Sequence, residues 1–178
     1  ASYGGADASD NSGSLTYVRI EYPGIAFVPG NEINGLTCGG VGSSTVLDHI
    51  MVSRSGDDAF EFFGGTVNGK YLIAHNTYDD DFDTDFGFQG KIQFGLVKRD
   101  PNFADVSGSN GFESDNDATG STNSPQTNPT FSNMTVVGPI QNAGDVINVN
   151  YKRGAHLRRN TNTDIFNSVI IGYPSGIM

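Results

Sequence analysis

Acidic residues are concentrated in one short stretch of the 178-residue chain. Residues 79–87 read Asp-Asp-Asp-Phe-Asp-Thr-Asp-Phe-Gly, so five of nine positions carry a carboxylate. The Asp-x-Asp-x-Asp spacing that begins at Asp81 is typical of many calcium loops, because calcium prefers oxygen ligands. An EF-hand also needs glycine at its sixth position and glutamate at its twelfth, where this loop has Gly87 seventh and Ile92 twelfth. The stretch therefore predicts a calcium site of another kind.

The predicted metal ligands are the acidic residues of this stretch and of a second acidic cluster downstream: Asp79, Asp80, Asp81, Asp83, Asp85, Asp115 and Asp117. Ca²⁺ is the one cofactor that the sequence indicates. The alternative is a solvated acidic edge that pairs with Arg54, Lys91 or Arg99. A single cysteine, Cys38, excludes an internal disulfide and a cysteine metal site, and we expect it to be a small buried residue.

The acidic stretch has a partner 22 residues upstream. Residues 57–65 align with residues 79–87, which matches Asp57 with Asp79 and Phe60 with Phe82. A fixed offset of this size indicates a solenoid, in which each repeat buries its apolar face against its neighbours. The sequence thus predicts an all-β, right-handed parallel β-helix with coils of about 22 residues and little helix. An antiparallel β-sandwich is the alternative, since short strands with frequent turns also suit that fold.

We expect a single β-helix domain over residues 1–178, as a fragment of a larger protein. The low-complexity residues 118–130 predict a protruding loop. Alternating apolar residues predict short strands elsewhere. The predicted strands that matter below are Leu15 to Tyr22 with Val18, Ile20 and Tyr22 on one face, Phe82 to Phe88, and a strand in which Ile92, Phe94 and Leu96 alternate with polar residues.

Equivalent positions of a parallel β-helix stack about 4.8 Å apart. The position that follows the buried phenylalanine of each repeat therefore predicts a column of Thr37, Glu61, Asp83, Glu113 and His156. Carboxylates stacked at this distance repel one another. Such a column needs a bound cation, a shared proton or a basic side chain.

Catalysis is the sharper hypothesis for this column. Retaining glycosidases use two carboxyl groups about 5–5.5 Å apart, which adjacent coils would supply, and inverting enzymes use a wider spacing. A lyase would instead need a cation site and a basic residue that takes a proton. The candidate catalytic residues are Glu61, Asp83, Glu113, His156 and Arg158. The basic residues Lys152, Arg153, Arg158 and Arg159 bind an anionic sugar or pair with the acidic column internally.

The net charge of −10 disfavours nucleic acid as a partner, because contacts to phosphate need a basic face. No apolar run approaches the ~18 residues of a transmembrane helix, so we expect no membrane insertion. The expected partners are polysaccharides or neighbouring protein domains. Self-stacking through open β-helix ends is a further hypothesis.

Five segments resemble a family of large secreted proteins of Bacteroidota, described as pectin-lyase-like β-helices and often exported with a type IX sorting tail. These segments are residues 15–21, 55–67, 79–87, 105–117 and 156–160. The resemblance implies the β-helix fold and a secreted, extracellular or cell-surface location, but no specific reaction. Polygalacturonase-like enzymes and pectate lyases share this architecture, although their motifs are absent here.

The sequence therefore predicts a calcium-stabilised module for binding or structural assembly. The alternatives are a polysaccharide lyase or glycoside hydrolase that uses the acidic column, and a filament or surface-layer subunit.

Overall fold

The computed structural model describes residues 3–25 and 32–178. Every strand pairing within these two ranges is parallel. This confirms the right-handed parallel β-helix and excludes the antiparallel sandwich. The described residues form no helix that is long and apolar enough to cross a membrane.

Within residues 3–25 and 32–178, fifteen strands build the coils. They are β1 (Ser14–Glu21), β2 (Leu36–Gly39), β3 (Val46–Ser53), β4 (Phe60–Phe63), β5 (Asn68–His75), β6 (Phe82–Asp85), β7 (Lys91–Gln93), β8 (Leu96–Lys98), β9 (Phe112–Ser114), β10 (Thr130–Ser132), β11 (Thr135–Val137), β12 (Arg153–Leu157), β13 (Asp164–Phe166), β14 (Val169–Ile171) and β15 (Ser175–Ile177).

The strands form two parallel sheets that wrap one core. The long sheet has nine strands, with β1, β3 and β5 followed by two branches, one through β7, β10 and β13 and one through β8, β11 and β14. The short sheet has six strands in the order β2, β4, β6, β9, β12 and β15. The spacing of 22 residues holds between Asp58 and Asp80, but it grows to 30 between Thr84 and Ser114 and to 43 between Glu113 and His156. Inserted loops thus lengthen the later coils without breaking the register.

Phenylalanine rings from successive coils stack inside the short sheet. The ring of Phe82 lies 5.1 Å from that of Phe60 and 5.8 Å from that of Phe112, and all three are fully buried. Phe131 from the long sheet packs 4.7 Å from Phe112. Burying a side chain of this size stabilises a fold by about 1.5–3 kcal/mol, so this stack contributes much of the core.

A residue with positive φ bends each coil of the long sheet. The residues at this bend are Tyr17, His49, Tyr71, Phe94, Asn133 and Asn167, with φ between 44° and 62°. The bend separates β7 from β8, so the expected alternation of Ile92, Phe94 and Leu96 is wrong: only Ile92 is buried. A pattern of apolar residues at every second position does not reveal a residue with positive φ, which changes which of the following side chains face the core.

Two further expectations need correction. Tyr22 does not share the inner face with Val18 and Ile20, because φ is 53° there and its side chain is exposed. The strand that begins at Phe82 ends at Asp85, since the two residues that follow have positive φ. Within residues 118–130, Thr127 is buried and accepts a hydrogen bond from the amide of Gly87 at 2.8 Å, which anchors this segment to the turn after β6. Cys38 is free and buried, as expected.

Candidate functional site

The strand registers of the short sheet bring the predicted column together. Thr37 pairs with Glu61, Glu61 with Asp83, Asp83 with Glu113, and Glu113 with His156. The phenylalanine pattern predicted this row for Glu61, Asp83 and Glu113, and the strand pairing also places Thr37 and His156 in it, as expected. The column lies on the outer face of the short sheet, because the residues on either side of Glu61 are Phe60 and Phe62 in the core.

A second row of acidic residues lies beside the column, in the turns that precede β4 and β6. Asp58 accepts a hydrogen bond from the amide of Asp80 at 2.9 Å, and Asp80 accepts one from the amide of Asn110 in the next coil. Asp58 and Asp80 are buried. Their carboxylates therefore have a structural task, since they hold the turns of successive coils together.

The two rows meet in three overlapping clusters of carboxylates. Within each cluster, one ligand atom from every member lies within 4.8 Å of the others. The clusters are Asp57–Asp58–Asp79, Asp58–Glu61–Asp83 and Asp80–Asp83–Glu113. Since Asp58 and Asp83 each belong to two clusters, the carboxylates form one continuous chain. We call this chain the acidic groove, because its first members line an open cavity of about 880 Å³ together with Asp105.

Glu61 lies at the centre of the acidic groove, beside Asp58. Its side chain is only 3% exposed, and its Oε1 has no hydrogen-bond partner among the described residues. Its neighbours in the middle cluster are two further carboxylates, Asp58 and Asp83. Because an unpaired buried charge is costly, Glu61 is neutralised either by a proton or by a bound cation.

Burial and mutual repulsion raise the pKa values of these carboxyl groups. Burial is the larger cause, and it raises the pKa of Asp58 to about 8 and those of Asp57 and Asp79 to about 6. Burial, followed by the charge of Asp83, raises the pKa of Glu61 well above its usual value. The groove without a cation thus holds protons at neutral pH, some of them shared between neighbouring carboxyl groups.

The far end of the groove is compensated by basic residues. Arg158 pairs with Glu113 and with Asp115, where Nε lies 2.9 Å from Oδ1, and Arg159 pairs with Asp115 at 2.7 Å. His156 Nδ1 lies 3.2 Å from Glu113 Oε2. The basic cluster therefore pairs internally through Arg158 and Arg159, which is one of the two alternatives drawn from the sequence.

Four of the seven predicted metal ligands lie outside the three clusters. Asp85 accepts a hydrogen bond from the amide of Phe86 at 2.6 Å, and Asp115 is held by two arginines. Asp117 accepts hydrogen bonds from Ser121, Thr119 and Asn123, which close its own turn, and those from Ser121 and Thr119 lower its pKa. Asp81 lies on the inner side of the coil. The structure brings together only Asp79, Asp80 and Asp83 from the predicted set.

Asp81 forms a fully buried ion pair with Arg99, in which Nε lies 3.0 Å from Oδ2. The guanidinium of Arg99 also donates to the carbonyls of Thr77 and Asn110, at 2.6 and 2.7 Å, and to that of Asp79. Burial opposes its charge, but Asp81 raises the pKa of Arg99 above its usual value. Arg99 was one of three basic residues expected to pair with the acidic stretch, and it does so from inside the core.

Sequence reasoning missed Asp57 and Asp58 as members of the groove. The signal was present, because the offset of 22 residues matches them with Asp79 and Asp80. It also missed Asp105 and Ser107, which lie in an inserted loop with no counterpart in the earlier coils. Ser107 donates a hydrogen bond to Asp79 Oδ2 at 2.8 Å.

Comparison with known proteins supports the fold and leaves the chemistry open. Searches of curated proteins and of solved structures give no significant match. A family model described as a pectate-lyase-like β-helix domain matches residues 1–178. The chain therefore belongs to the family of pectate-lyase-like β-helix domains.

Proposed function

We propose that this chain is a binding module that holds a divalent cation of the calcium type in the acidic groove and uses it to bind anionic polysaccharide. The observation that carries the proposal is Glu61, a buried carboxylate whose Oε1 lacks a partner and which lies between two other carboxylates. A cation bound by Asp58, Glu61 and Asp83 would neutralise carboxylates that form no salt bridge with a basic residue in the part of the chain that the structure describes.

The donor set favours a hard cation. Every candidate ligand in the three clusters is a carboxylate oxygen, which suits Ca²⁺ and Mg²⁺ better than a softer transition metal. Ca²⁺ accepts six to eight oxygen ligands in flexible geometry, so that a ligand from outside the chain can complete the coordination. Neighbouring carboxylates at unequal depths fit this requirement better than the strict octahedron of Mg²⁺.

The negative charge of the chain favours a model in which an anionic partner binds through a bound cation. The chain carries a net charge of −10, and a groove lined by carboxylates repels uronate or sulfate groups directly. A bound cation reverses the sign of this interaction at one point of the groove. The extracellular location implied by the resemblance described above fits such a site, since extracellular calcium modules bind with Kd of about 10⁻⁴–10⁻³ M.

Calcium titration by calorimetry in the wild-type protein and in Glu61→Gln tests the proposal. We expect the substitution to weaken binding by at least about tenfold, since even partners outside the first shell contribute this much to metal affinity. Glu21→Gln is the matched control, because Glu21 is exposed on β1 and pairs with Arg19. Equal affinities in all three proteins, or no binding in the wild type, would overturn the proposal.

A second candidate function is polysaccharide cleavage by β-elimination, and one contact favours it. His156 lies next to Glu113, and burial together with the charges of Arg153 and Arg158 lowers the pKa of His156. A neutral imidazole oriented by a carboxylate is a suitable general base. Arg158 is a poor base by comparison, since its pairs with Asp115 and Glu113 outweigh its burial and raise its pKa.

Incubation with polygalacturonate and alginate, with calcium and with chelator, tests this candidate. A lyase would release unsaturated sugars that absorb in the ultraviolet, and a hydrolase would release reducing ends without that absorbance. We expect His156→Gln to abolish lyase product while the calcium affinity persists. Product that is unchanged in His156→Gln would exclude His156 as the base.

A further inference from the structure

Next to the acidic groove, three aromatic side chains lie in a row across successive coils. Phe63 lies between Tyr3, whose ring centroid is 6.3 Å away, and Phe86, at 5.8 Å. We call these three residues the aromatic platform. They line a cavity of about 450 Å³ that also includes Gln89 and Pro125. Phe63 lines the cavity of the acidic groove as well, so the two cavities adjoin.

The rings of the platform do not stack face to face on one another. Adjacent rings are tilted by 46° and 43°, which prevents each ring from covering its neighbour. A second aromatic row, on the long sheet, is built in the opposite way: Tyr17, His49, Tyr71 and Phe94 stack with interplanar angles of 22°, 26° and 14°. Rings that stack on each other offer only their edges to a ligand.

Phe86 is exposed at a position where the backbone favours glycine. Its φ is 50°, and its side chain is 51% exposed. The residues at this turn in the two preceding coils are Gly40 and Gly64, with φ of 62° and 67°. A bulky side chain in this region costs conformational energy, and such strain is often retained at functional sites. Phe86 stays half exposed beside Phe63, so burial offsets only part of this cost.

We propose that the aromatic platform is a saccharide subsite, in which the C–H face of a pyranose ring packs on Phe63 and Phe86 while the neighbouring unit of the same chain is held at the acidic groove. Glu61 and Phe63 lie two residues apart on one face of β4, which is roughly 7 Å along a strand. Neighbouring units of one polysaccharide can bridge this distance. Gln89 is exposed beside the platform and donates one long hydrogen bond, of 3.4 Å, to the carbonyl of Gln126, so its side-chain oxygen provides an acceptor for sugar hydroxyls.

This inference rests on the proposed function, because the platform places a sugar that the cation helps to retain. The test is binding of oligogalacturonate and alginate oligomers in calcium, measured by calorimetry for the wild-type protein and for Phe86→Gly. We expect the affinity of Phe86→Gly to fall by about tenfold or more, as for loss of an aromatic contact at the centre of an interface. Its calcium affinity without sugar should not change.

Phe94→Gly is the matched control, because Phe94 is also an exposed phenylalanine with positive φ, on the opposite sheet. It should bind the oligomers as the wild type does. Thermal melting separates the two roles of Phe86: a subsite residue gives Phe86→Gly an unchanged or higher Tm, since glycine relieves the strained backbone.

The outcomes distinguish the two proposals. If the wild type binds the oligomers and Glu61→Gln does not, but Phe86→Gly binds as tightly as the wild type, the subsite is overturned and the cation-dependent module stands. A lower Tm with unchanged affinity in Phe86→Gly would assign that ring a structural role. Failure of the wild type to bind either oligomer in calcium overturns both proposals.

Discussion

The outer faces of the two sheets carry opposite arrangements of rings and charges. On the long sheet, aromatic rings stack face to face with centroids 4.4–5.1 Å apart. The neighbouring row on this sheet holds an acidic, a basic and a neutral side chain in successive coils, namely Asp48, Lys70 and Gln93. On the short sheet, the rings are tilted and carboxylates of successive coils adjoin one another. Both faces are built from the same parallel registers, so the fold alone does not cause the difference.

The comparison shows which side chains a parallel β-helix tolerates in a column. Stacked aromatic rings and the Asn133–Asn167 pair gain from neighbours of the same kind. Like charges directly opposite one another are destabilising. Under the proposal above, a bound cation compensates the repulsion within the carboxylate column, whereas the stacked rings of the long sheet need no ligand to stabilise them.

The largest expected effect on stability comes from removing a phenylalanine ring of the buried stack, compared with an exposed ring on the long sheet. Phe82→Ala should lower the free energy of unfolding by about 3–5 kcal/mol, because its ring fills the fully buried stack between Phe60 and Phe112. Urea denaturation measures this loss. Phe94→Ala is the control on the long sheet and should cost less than about 1.5 kcal/mol. Similar losses in both variants would show that the phenylalanine register has been assigned wrongly.

The acidic groove should make the folded state less stable as pH rises, which is the opposite of the usual effect of carboxyl groups. In chelator, carboxyl groups whose pKa is raised by folding hold more protons in the folded state than in the unfolded state. Stability should therefore be highest near pH 4 and fall as pH rises toward 8, the range between the unfolded value of about 4 and the pKa of about 8 for Asp58. Thermal melts across this range measure the fall, and saturating calcium should reduce it because the cation replaces the protons.

The variant Glu61→Gln should distinguish the acidic groove without a cation from the acidic groove with bound calcium. Glu61→Gln removes a carboxyl group whose ionisation is opposed by burial and by Asp83, so in chelator at pH 8 it should melt at a higher temperature than the wild type. A gain of 1 kcal/mol corresponds to about 2–4 °C in a chain of this size. In calcium the order should reverse, since the variant lacks a ligand. A melting temperature that is lower than that of the wild type under both conditions would contradict this account.

The smallest effect is expected on the long sheet. Tyr71→Ala interrupts the stack between His49 and Phe94 and should cost about 0.5–1.5 kcal/mol beyond the loss of buried area. It should leave calcium affinity unchanged, because the stacked rings lie on the long sheet and the acidic groove lies on the short sheet. Calorimetry and urea denaturation on the same protein preparation check both parts. A change in calcium affinity would mean that the two faces are coupled.

Much of this arrangement could be predicted from the repeat of 22 residues. Aligning Phe60 with Phe82 placed Glu61 beside Asp83, and extending the pattern reached Glu113 and His156 across longer insertions. The fold followed from the same offset. The repeated sequence pattern therefore indicates which residues share a row, even where the coils differ in length.

Two features could not be predicted in this way. Within a turn, consecutive side chains point in different directions, so Asp79 and Asp80 join the groove while Asp81 faces Arg99 in the core. Residues with positive φ, such as Phe94, reverse the phase of a strand without any change in composition. Both depend on local dihedral angles, which an alternating pattern of apolar residues does not encode.

The most direct test of the central claim is a crystal structure grown in calcium, followed by exchange with terbium to locate the cation by anomalous scattering. The account predicts an anomalous peak among the carboxylates of Asp58, Glu61 and Asp83, and its loss in crystals of Glu61→Gln. Peaks confined to exposed carboxylates such as Glu21 or Asp145, with Glu61 unliganded, would contradict it.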